Sequence, residues 1–355
     1  MTRSDPTAAQ RLLAQGQALH QAGDYAGADA LYRQVLDGDP TNADALHLAG
    51  VLAYQLGQLE TAERLIREAL THNARLVSAY NNLGLVLDAR GRTVEAVDAY
   101  RQAIDLKADY AEAYSNLGIA CKTLGRLDEA IRHYRTALRL KPAFPDVYSN
   151  LGAALRLAGD IDGAIAACTR AIELKPQNPD ALNNLGATFS DAGRFDEAMH
   201  SLTLAIALRP QFPAAQLNLA GVHRRQGRFT QAQSIILDLV AHRRDLPEAH
   251  TAIGELILEQ GHPTGAESAF RHVIELRPEA AEAHNNLGNA LRSLGRPRRR
   301  RLIARPSSTS RNTSRRITIC VSYCKIKAAR RRWKPPLKRS SKRRRPTLSS
   351  VPGCA

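Results

Sequence analysis

Residues 125–142 read GRLDEAIRHYRTALRLKP, and their pattern returns twice at a fixed spacing. Residues 159–176 are GDIDGAIAACTRAIELKP and residues 193–210 are GRFDEAMHSLTLAIALRP, so the period is 34 residues. A period of this length is typical of solenoids, in which each repeat forms one supersecondary unit. Apolar residues recur at intervals of three and four within each copy, which indicates helices rather than strands.

The same period extends in both directions and divides the chain into three parts. An N-terminal extension, 1–8, precedes a repeat array, 9–295, and a tail, 296–355, follows it. The units of the array are 9–42, 43–76, 77–110, 111–144, 145–178, 179–212, 213–246, 247–280 and a partial ninth, 281–295.

Small residues recur at two places in every full unit, where places are numbered from the first residue of the unit. The eighth place holds Gly or Ala, and we expect the missing side chain to let the two helices of a unit cross closely, with the Ala of the twentieth place as the matching contact. A second Gly opens the turn between the helices, where a left-handed conformation ends the first helix. Tyr32, Tyr100, Tyr134 and Phe270 are expected to fill the gaps between neighbouring units.

These columns resemble those of the tetratricopeptide repeat family over residues 9–295. The resemblance implies an all-α protein, a right-handed α-solenoid or superhelix of about eight and a half helical hairpins. Ala74, Ala108 and Arg244 stand where the family pattern has a closing Pro, which affects only local turn geometry. One such unit cannot bury its apolar face alone, so stability is expected from contacts between neighbours.

Asparagines occupy the sixth place of most units, on the helix that lines the concave wall in the family. They are Asn82, Asn116, Asn150, Asn184, Asn218 and Asn286. Because Asn is a weak helix former, six of them in one register suggest a shared purpose. A row of amides can pair with the backbone of an extended peptide without reading its side chains. Alternatively, the amides solvate the concave surface or bond within the array. Asn81, Asn183, Asn285 and His284 are possible additional members of the groove.

The motifs AYNNLG, AYSNLG and ALNNLG resemble the peptide-binding arm of O-linked N-acetylglucosamine transferases. Two functions follow from this resemblance. The chain is either a scaffold that binds extended segments of partner proteins, or a substrate-recruiting arm whose catalytic domain is missing from this sequence.

Catalytic and metal-binding motifs are not apparent in the array. We find no phosphate-binding glycine loop and no nucleophile elbow, so we expect neither catalysis nor a cofactor. The histidines form no pair with metal-ligand spacing on one helix, and Cys121 and Cys168 fit small core positions, so no metal site is expected. No apolar run is long enough for a membrane span, and a cytoplasmic location is the default expectation.

The tail differs sharply in composition from the array. It carries 21 Lys and Arg and no acid, whereas residues 1–295 carry a net charge of −5. Three interpretations stay open: a basic tail that binds nucleic acid with Trp333 as a stacking ring, a solvated disordered tail, and the product of a shifted reading frame. The third fits the loss of every repeat column directly after Gly295.

Overall fold

The computed structural model describes residues 6–295, of which the side chains of Pro6 and Thr7 are left aside. Over this range the chain consists of α-helices joined by short turns, as the repeat pattern predicts. The tail 296–355, with its proposed nucleic-acid contacts and disorder, lies outside the described residues. None of the described helices is both long enough and apolar enough to cross a membrane.

Seventeen helices follow one another between residues 6 and 295, and odd-numbered ones are the first helices of their units. They are α1 Pro6–Gln21, α2 Tyr25–Gly38, α3 Ala43–Gln55, α4 Leu59–His72, α5 Val77–Ala89, α6 Thr93–Leu106, α7 Ala111–Thr123, α8 Leu127–Leu140, α9 Pro145–Leu157, α10 Ile161–Leu174, α11 Pro179–Asp191, α12 Phe195–Leu208, α13 Pro213–Arg225, α14 Phe229–His242, α15 Pro247–Glu259, α16 Pro263–Leu276 and α17 Ala281–Ser293. The first helix begins at Pro6 and so includes part of the segment expected to precede the array.

The helix ends follow from local chemistry. The turn glycines all adopt positive φ, between 65° at Gly295 and 85° at Gly23, as predicted for left-handed helix termination. The closing Pro proves unnecessary, because α4 and α14, which lack it, end at the same place of the repeat as α8, which has it. The backbone N–H of the residue after the helix bonds the carbonyl four residues earlier in each case, for example Asn73 to Ala69.

In most units the glycine of the eighth place lies directly under a large side chain of the same unit. A Cβ on Gly118 would stand 2.6 Å from Cε1 of Tyr134, and one on Gly254 would stand 2.7 Å from Cε1 of Phe270. Both rings are fully buried. The sequence predicts that these rings fill the gaps between neighbouring units, and that stays a prediction. Within the unit, the absent side chain of the glycine makes room for the ring.

Successive units pack into a right-handed α-solenoid. Each first helix packs on its own second helix and on the second helix of the preceding unit. First helices of neighbouring units also contact each other, as α9 does α11, whereas neighbouring second helices between residues 6 and 295 make no comparable contact. The first helices therefore form the inner, concave row, and the second helices form the outer row.

Paired glycine substitutions test the close approach of the two helices. Gly118→Ala should destabilise the array by about 1–3 kcal/mol, because the new methyl group overpacks the Tyr134 ring. Gly221→Ala should stabilise it by up to about 1 kcal/mol, because Ala favours helix and the added Cβ meets no atom within 4 Å. Urea unfolding followed by circular dichroism measures both; equal effects of the two substitutions would contradict the packing described here.

Candidate peptide-binding groove

The six asparagines of the sixth place lie on six first helices of the inner row. Asn82, Asn116, Asn150, Asn184 and Asn218 occupy consecutive units, and Asn286 follows after an interruption at Ala252. Each of the six residues is half-buried, so each keeps part of its surface in contact with solvent. Because the sixth place recurs at the same point of each first helix, the amides form one line along the concave surface.

The amides also connect neighbouring units by hydrogen bonds. Nδ2 of Asn116 donates to Oδ1 of Asn81 over 2.9 Å, and Nδ2 of Asn218 donates to Oδ1 of Asn183 over 2.8 Å. In each pair the acceptor stands 35 residues earlier, at the fifth place of the preceding unit. Each of these hydrogen bonds is a joint between two neighbouring units. The line of amides is therefore a series of joints as well as a surface.

The acceptor changes from unit to unit while the donor stays the same. Nδ2 of Asn184 donates to Oγ of Ser149 over 3.0 Å and to the Ser149 carbonyl over 3.2 Å. Asn286 follows the unit that has Ala252 at the sixth place. Its Nδ2 donates to Oε1 of Glu255 over 3.4 Å. A carbonyl, a hydroxyl or a carboxylate can each serve, because an amide N–H can donate to any of these acceptors.

These bonds use only part of what each amide offers. An asparagine side chain has two N–H donors and an oxygen with two lone pairs, so the single bond of Asn116 or Asn218 leaves a donor and the oxygen for other partners. Asn184, whose Nδ2 makes two bonds to Ser149, keeps its oxygen. Both expectations from the sequence, bonding within the array and a polar concave surface, are thus met by the same residues. The neighbouring Asn81 and Asn183 are buried acceptors and not part of the open surface, whereas His284 and Asn285 are exposed.

The joint at the N-terminal end of the line uses a histidine. Nδ2 of Asn82 lies 2.8 Å from Nε2 of His47, which is only 7% exposed. Burial lowers the pKa of His47 to about 4, against a weaker opposing effect of Asp44. The imidazole is therefore neutral at neutral pH, and its Nε2 can accept the N–H of Asn82.

A charged pocket adjoins the C-terminal part of the line. It has a volume of about 170 Å³ and is lined by Arg156, Ala187, Ser190, Asp191, Leu217, Asn218, Gly221, Arg224 and Arg225. The guanidinium of Arg156 lies 2.7 Å from Asp191, and that of Arg224 lies 2.7 Å from Glu255. These charged residues were not predicted from the sequence. Their signal is that arginine recurs at the twelfth place, as Arg156, Arg224 and Arg292, about two turns beyond the amides on the same helices.

Family models for tetratricopeptide repeats match most of the chain. Those described as "TPR repeat" match residues 87–125 and 120–159. Those described as "Tetratricopeptide repeat" match residues 19–83, 145–178, 167–200, 189–256 and 251–298. No curated protein matches the sequence.

Solved structures share the architecture. A tetratricopeptide repeat protein from Parabacteroides merdae has a TM-score of 0.63 at 16% identity, with 70% of this chain and 99% of that one covered. A chain of the APC/C hetero-tetramer Cut9-Hcn1 has a TM-score of 0.59 at 20% identity and covers 79% of this chain. Only 55% of that chain is covered, so this protein spans about half its length. The Pseudomonas aeruginosa protein pilF has a TM-score of 0.54 at 22% identity, with 59% of this chain and 96% of that one covered. At these identities the likeness shows the fold alone.

The buried His47 should make stability depend on pH. Its pKa is about 4 in the folded chain against an ordinary histidine value of 6.5, so between these values the unfolded chain binds the extra proton. The stabilisation is complete above about pH 6.5 and is lost as the pH falls to 4, by about 3 kcal/mol in all. His47→Asn places there the residue that Asn81 and Asn183 provide in other units, and should remove this contribution.

Urea midpoints of the wild-type chain and of His47→Asn at pH 7 and pH 4.5 measure the effect. The wild-type chain should lose more stability on acidification than the variant does. An identical loss in both would mean that His47 does not titrate in this range.

Proposed function

Because the chain belongs to the tetratricopeptide repeat family, we propose that it is a non-catalytic scaffold whose concave surface binds an extended segment of a partner protein. The family and the fold support a protein-interaction scaffold in general. The groove, the register of its amides and the backbone of the bound segment are the specific part of this proposal.

One observation carries the proposal. Five consecutive units present a half-buried amide at the same place of the inner row, from Asn82 to Asn218. The amides of Asn82, Asn116, Asn184 and Asn218 bond the preceding unit and keep further hydrogen-bonding capacity. An extended peptide offers alternating N–H and C=O groups, which can pair with such a row irrespective of its side chains.

The joints add pre-organisation to this arrangement. Asn116, Asn184 and Asn218 are each held by a bond to the preceding unit, so their amides lose little freedom when a ligand binds. Each ligand bond contributes about 1 kcal/mol net, and the ordering of a flexible peptide offsets part of the sum. We therefore expect micromolar or weaker affinity for a segment that contacts the amides alone.

Selectivity comes from the two ends of the row. At the C-terminal end of the five consecutive amides, the pocket beside Asn218 contains Arg224, paired with Glu255, and Arg225, bonded to Ser190. An acidic side chain of the partner would bind there by competing with Glu255 for Arg224. At the N-terminal end, a pocket of about 350 Å³ is lined by Gln17, His20, Gln21, Tyr25, Leu48 and Gln55, and its aromatic and amide groups suit a polar or aromatic side chain.

The substrate-recruiting arm of a protein glycosyltransferase would use the same groove. The two functions differ in what the isolated chain does with a nucleotide sugar. The scaffold has no turnover, and transfer of sugar to a bound peptide by the purified chain would overturn the non-catalytic assignment.

Peptides selected from a random library on the full chain provide the probe for the groove. Asn116→Ala should weaken the binding of a selected peptide about 5-fold, and the triple variant with Asn150→Ala and Asn184→Ala about 100-fold, since each lost bond costs about 1 kcal/mol. Methylation of backbone amides in the peptide should weaken binding more than alanine substitution of its side chains. Isothermal titration calorimetry measures both.

The matched control is Asn81→Ala. This change removes the acceptor of Asn116 and so breaks the joint, but it leaves the Asn116 amide in place. Binding should fall less in Asn81→Ala than in Asn116→Ala. If the triple variant binds with wild-type affinity, the row of amides is not the binding surface.

A further inference from the structure

Three side chains with metal-binding chemistry converge in the fourth unit, away from the line of asparagines. Cys121 lies on α7, and Glu129 and His133 lie one turn apart on α8. Their thiol, carboxylate and imidazole donor atoms all lie within 4.8 Å of one another. Cys121 is buried, whereas Glu129 and His133 are half-buried, so the cluster is reached from solvent on the side of α8.

Cys121 and His133 occupy two positions of the repeat that rarely hold metal-binding side chains in the other units. The eleventh place, which holds Cys121, is otherwise Leu19, Ala53, Leu87, Leu155, Phe189, His223, Ile257 and Leu291. The twenty-third place, which holds His133, is otherwise Leu31, Leu65, Ala99, Ala167, Ser201, Ile235 and Ala269. Packing of the repeat is thus satisfied by Ala or Leu at both places, and it does not account for a thiol facing an imidazole.

From this convergence we propose that Cys121, Glu129 and His133 bind a divalent transition-metal ion of the zinc class. Sulfur, nitrogen and oxygen donors together suit Zn²⁺ and its spectroscopic substitute Co²⁺ rather than Mg²⁺ or Ca²⁺, which prefer oxygen alone. Three protein ligands leave a fourth tetrahedral position for water.

The protonation states of the cluster are compatible with this chemistry. Burial lowers the pKa of His133, so the imidazole is unprotonated at neutral pH and its nitrogen lone pair is available. Burial also raises the pKa of the Cys121 thiol. Binding therefore forms the metal–sulfur bond as the S–H bond breaks, and the proton leaves to solvent, with no change of oxidation state.

The arginines around the cluster have two opposing effects on the binding of a metal ion. The guanidinium of Arg101 lies 3.7 Å from the Glu129 carboxylate and competes with a cation for it. Arg101, Arg126 and Arg132 also favour the thiolate form of Cys121, because each lowers its pKa. The ion thus displaces a surface ion pair, which is a weak interaction, to gain a thiolate ligand.

A second, independent observation comes from the hydroxyl of Tyr134. In units one and three the equivalent tyrosines have partners: Tyr100 donates to Asp88 over 3.1 Å, and the Tyr32 hydroxyl lies 3.4 Å from His20. In the fourth unit that partner position is Lys122, which has no acceptor. Tyr134 is fully buried, and its hydroxyl has no hydrogen-bond partner among the described residues.

Cys121 also acts electrostatically on the Tyr134 hydroxyl, because a thiolate at Cys121 raises the pKa of Tyr134 beyond the effect of burial. A buried hydroxyl without a partner costs free energy, so such groups usually have an acceptor in the functional state. A thiolate at Cys121, which metal binding would produce, would offer an acceptor near this hydroxyl. The same unit thus contains both a set of ligands and an unfulfilled donor next to it.

Titration of the full chain with Co²⁺ tests the site. The parent for the experiment carries Ser in place of Cys320, Cys324 and Cys354, so that thiols of the tail do not contribute. We expect one equivalent of Co²⁺ to produce the intense visible absorption of a tetrahedral centre together with a thiolate charge-transfer band, and Zn²⁺ to displace both. Zn²⁺ should also raise the melting temperature of the parent.

Variants separate the ligands from the surrounding packing. Cys121→Ala should abolish the charge-transfer band, and His133→Ala and Glu129→Gln should each weaken Co²⁺ binding at least tenfold. Ala occurs at the same places as Ala53 and Ala99, so the first two changes are compatible with the fold. Glu129→Gln keeps the shape of a half-exposed side chain and serves if a core variant unfolds.

Cys168→Ala is the matched control. Cys168 is a buried thiol like Cys121, but it lies on α10 and outside the cluster. This variant should bind Co²⁺ like the parent. A parent without the tetrahedral spectrum, or a spectrum unchanged in Cys121→Ala, would overturn the assignment.

Discussion

The contact between the eighth-place glycine and the large side chain above it is the constraint on which the rest of the structure depends. In the fourth unit Gly118 receives the Tyr134 ring, and in the eighth unit Gly254 receives Phe270. The glycine costs helix propensity, and the buried ring offsets that cost by filling the space. Because this contact fixes how the two helices of a unit cross, it also fixes the face that each unit presents to its neighbour and the direction in which the first helices face the concave surface.

The asparagines bond within the array, which is one of the alternatives drawn from the sequence. Asn116 and Asn218 bond the fifth place of the preceding unit and are themselves half-buried. If the proposed groove binds a peptide through these amides, a substitution that removes one of them also removes a hydrogen bond between units. Only a comparison with a change at the acceptor, such as Asn81, separates the effect on stability from the effect on binding.

Much of the fold could be predicted from the sequence, because the repeat shows each structural requirement many times. The turn glycines, the helices and the register of the sixth-place asparagines follow from the 34-residue period. What the period cannot reveal is contact between different columns. The burial of Asn81 and the proximity of Cys121 to His133 depend on how two helices cross, and a search for paired histidines on one helix could not find a site shared by α7 and α8.

The difference between the two rows of helices has a mechanical consequence. The inner row is continuous, since first helices contact one another and share hydrogen bonds, whereas the second helices between residues 6 and 295 make no comparable contact with one another. Such a solenoid bends most easily by spreading its outer row, with the line of amides as the axis of rotation. Its length along the concave side then stays nearly constant while its curvature varies. The array can therefore change its curvature to fit partners of different width without changing the spacing of its amides along the concave side.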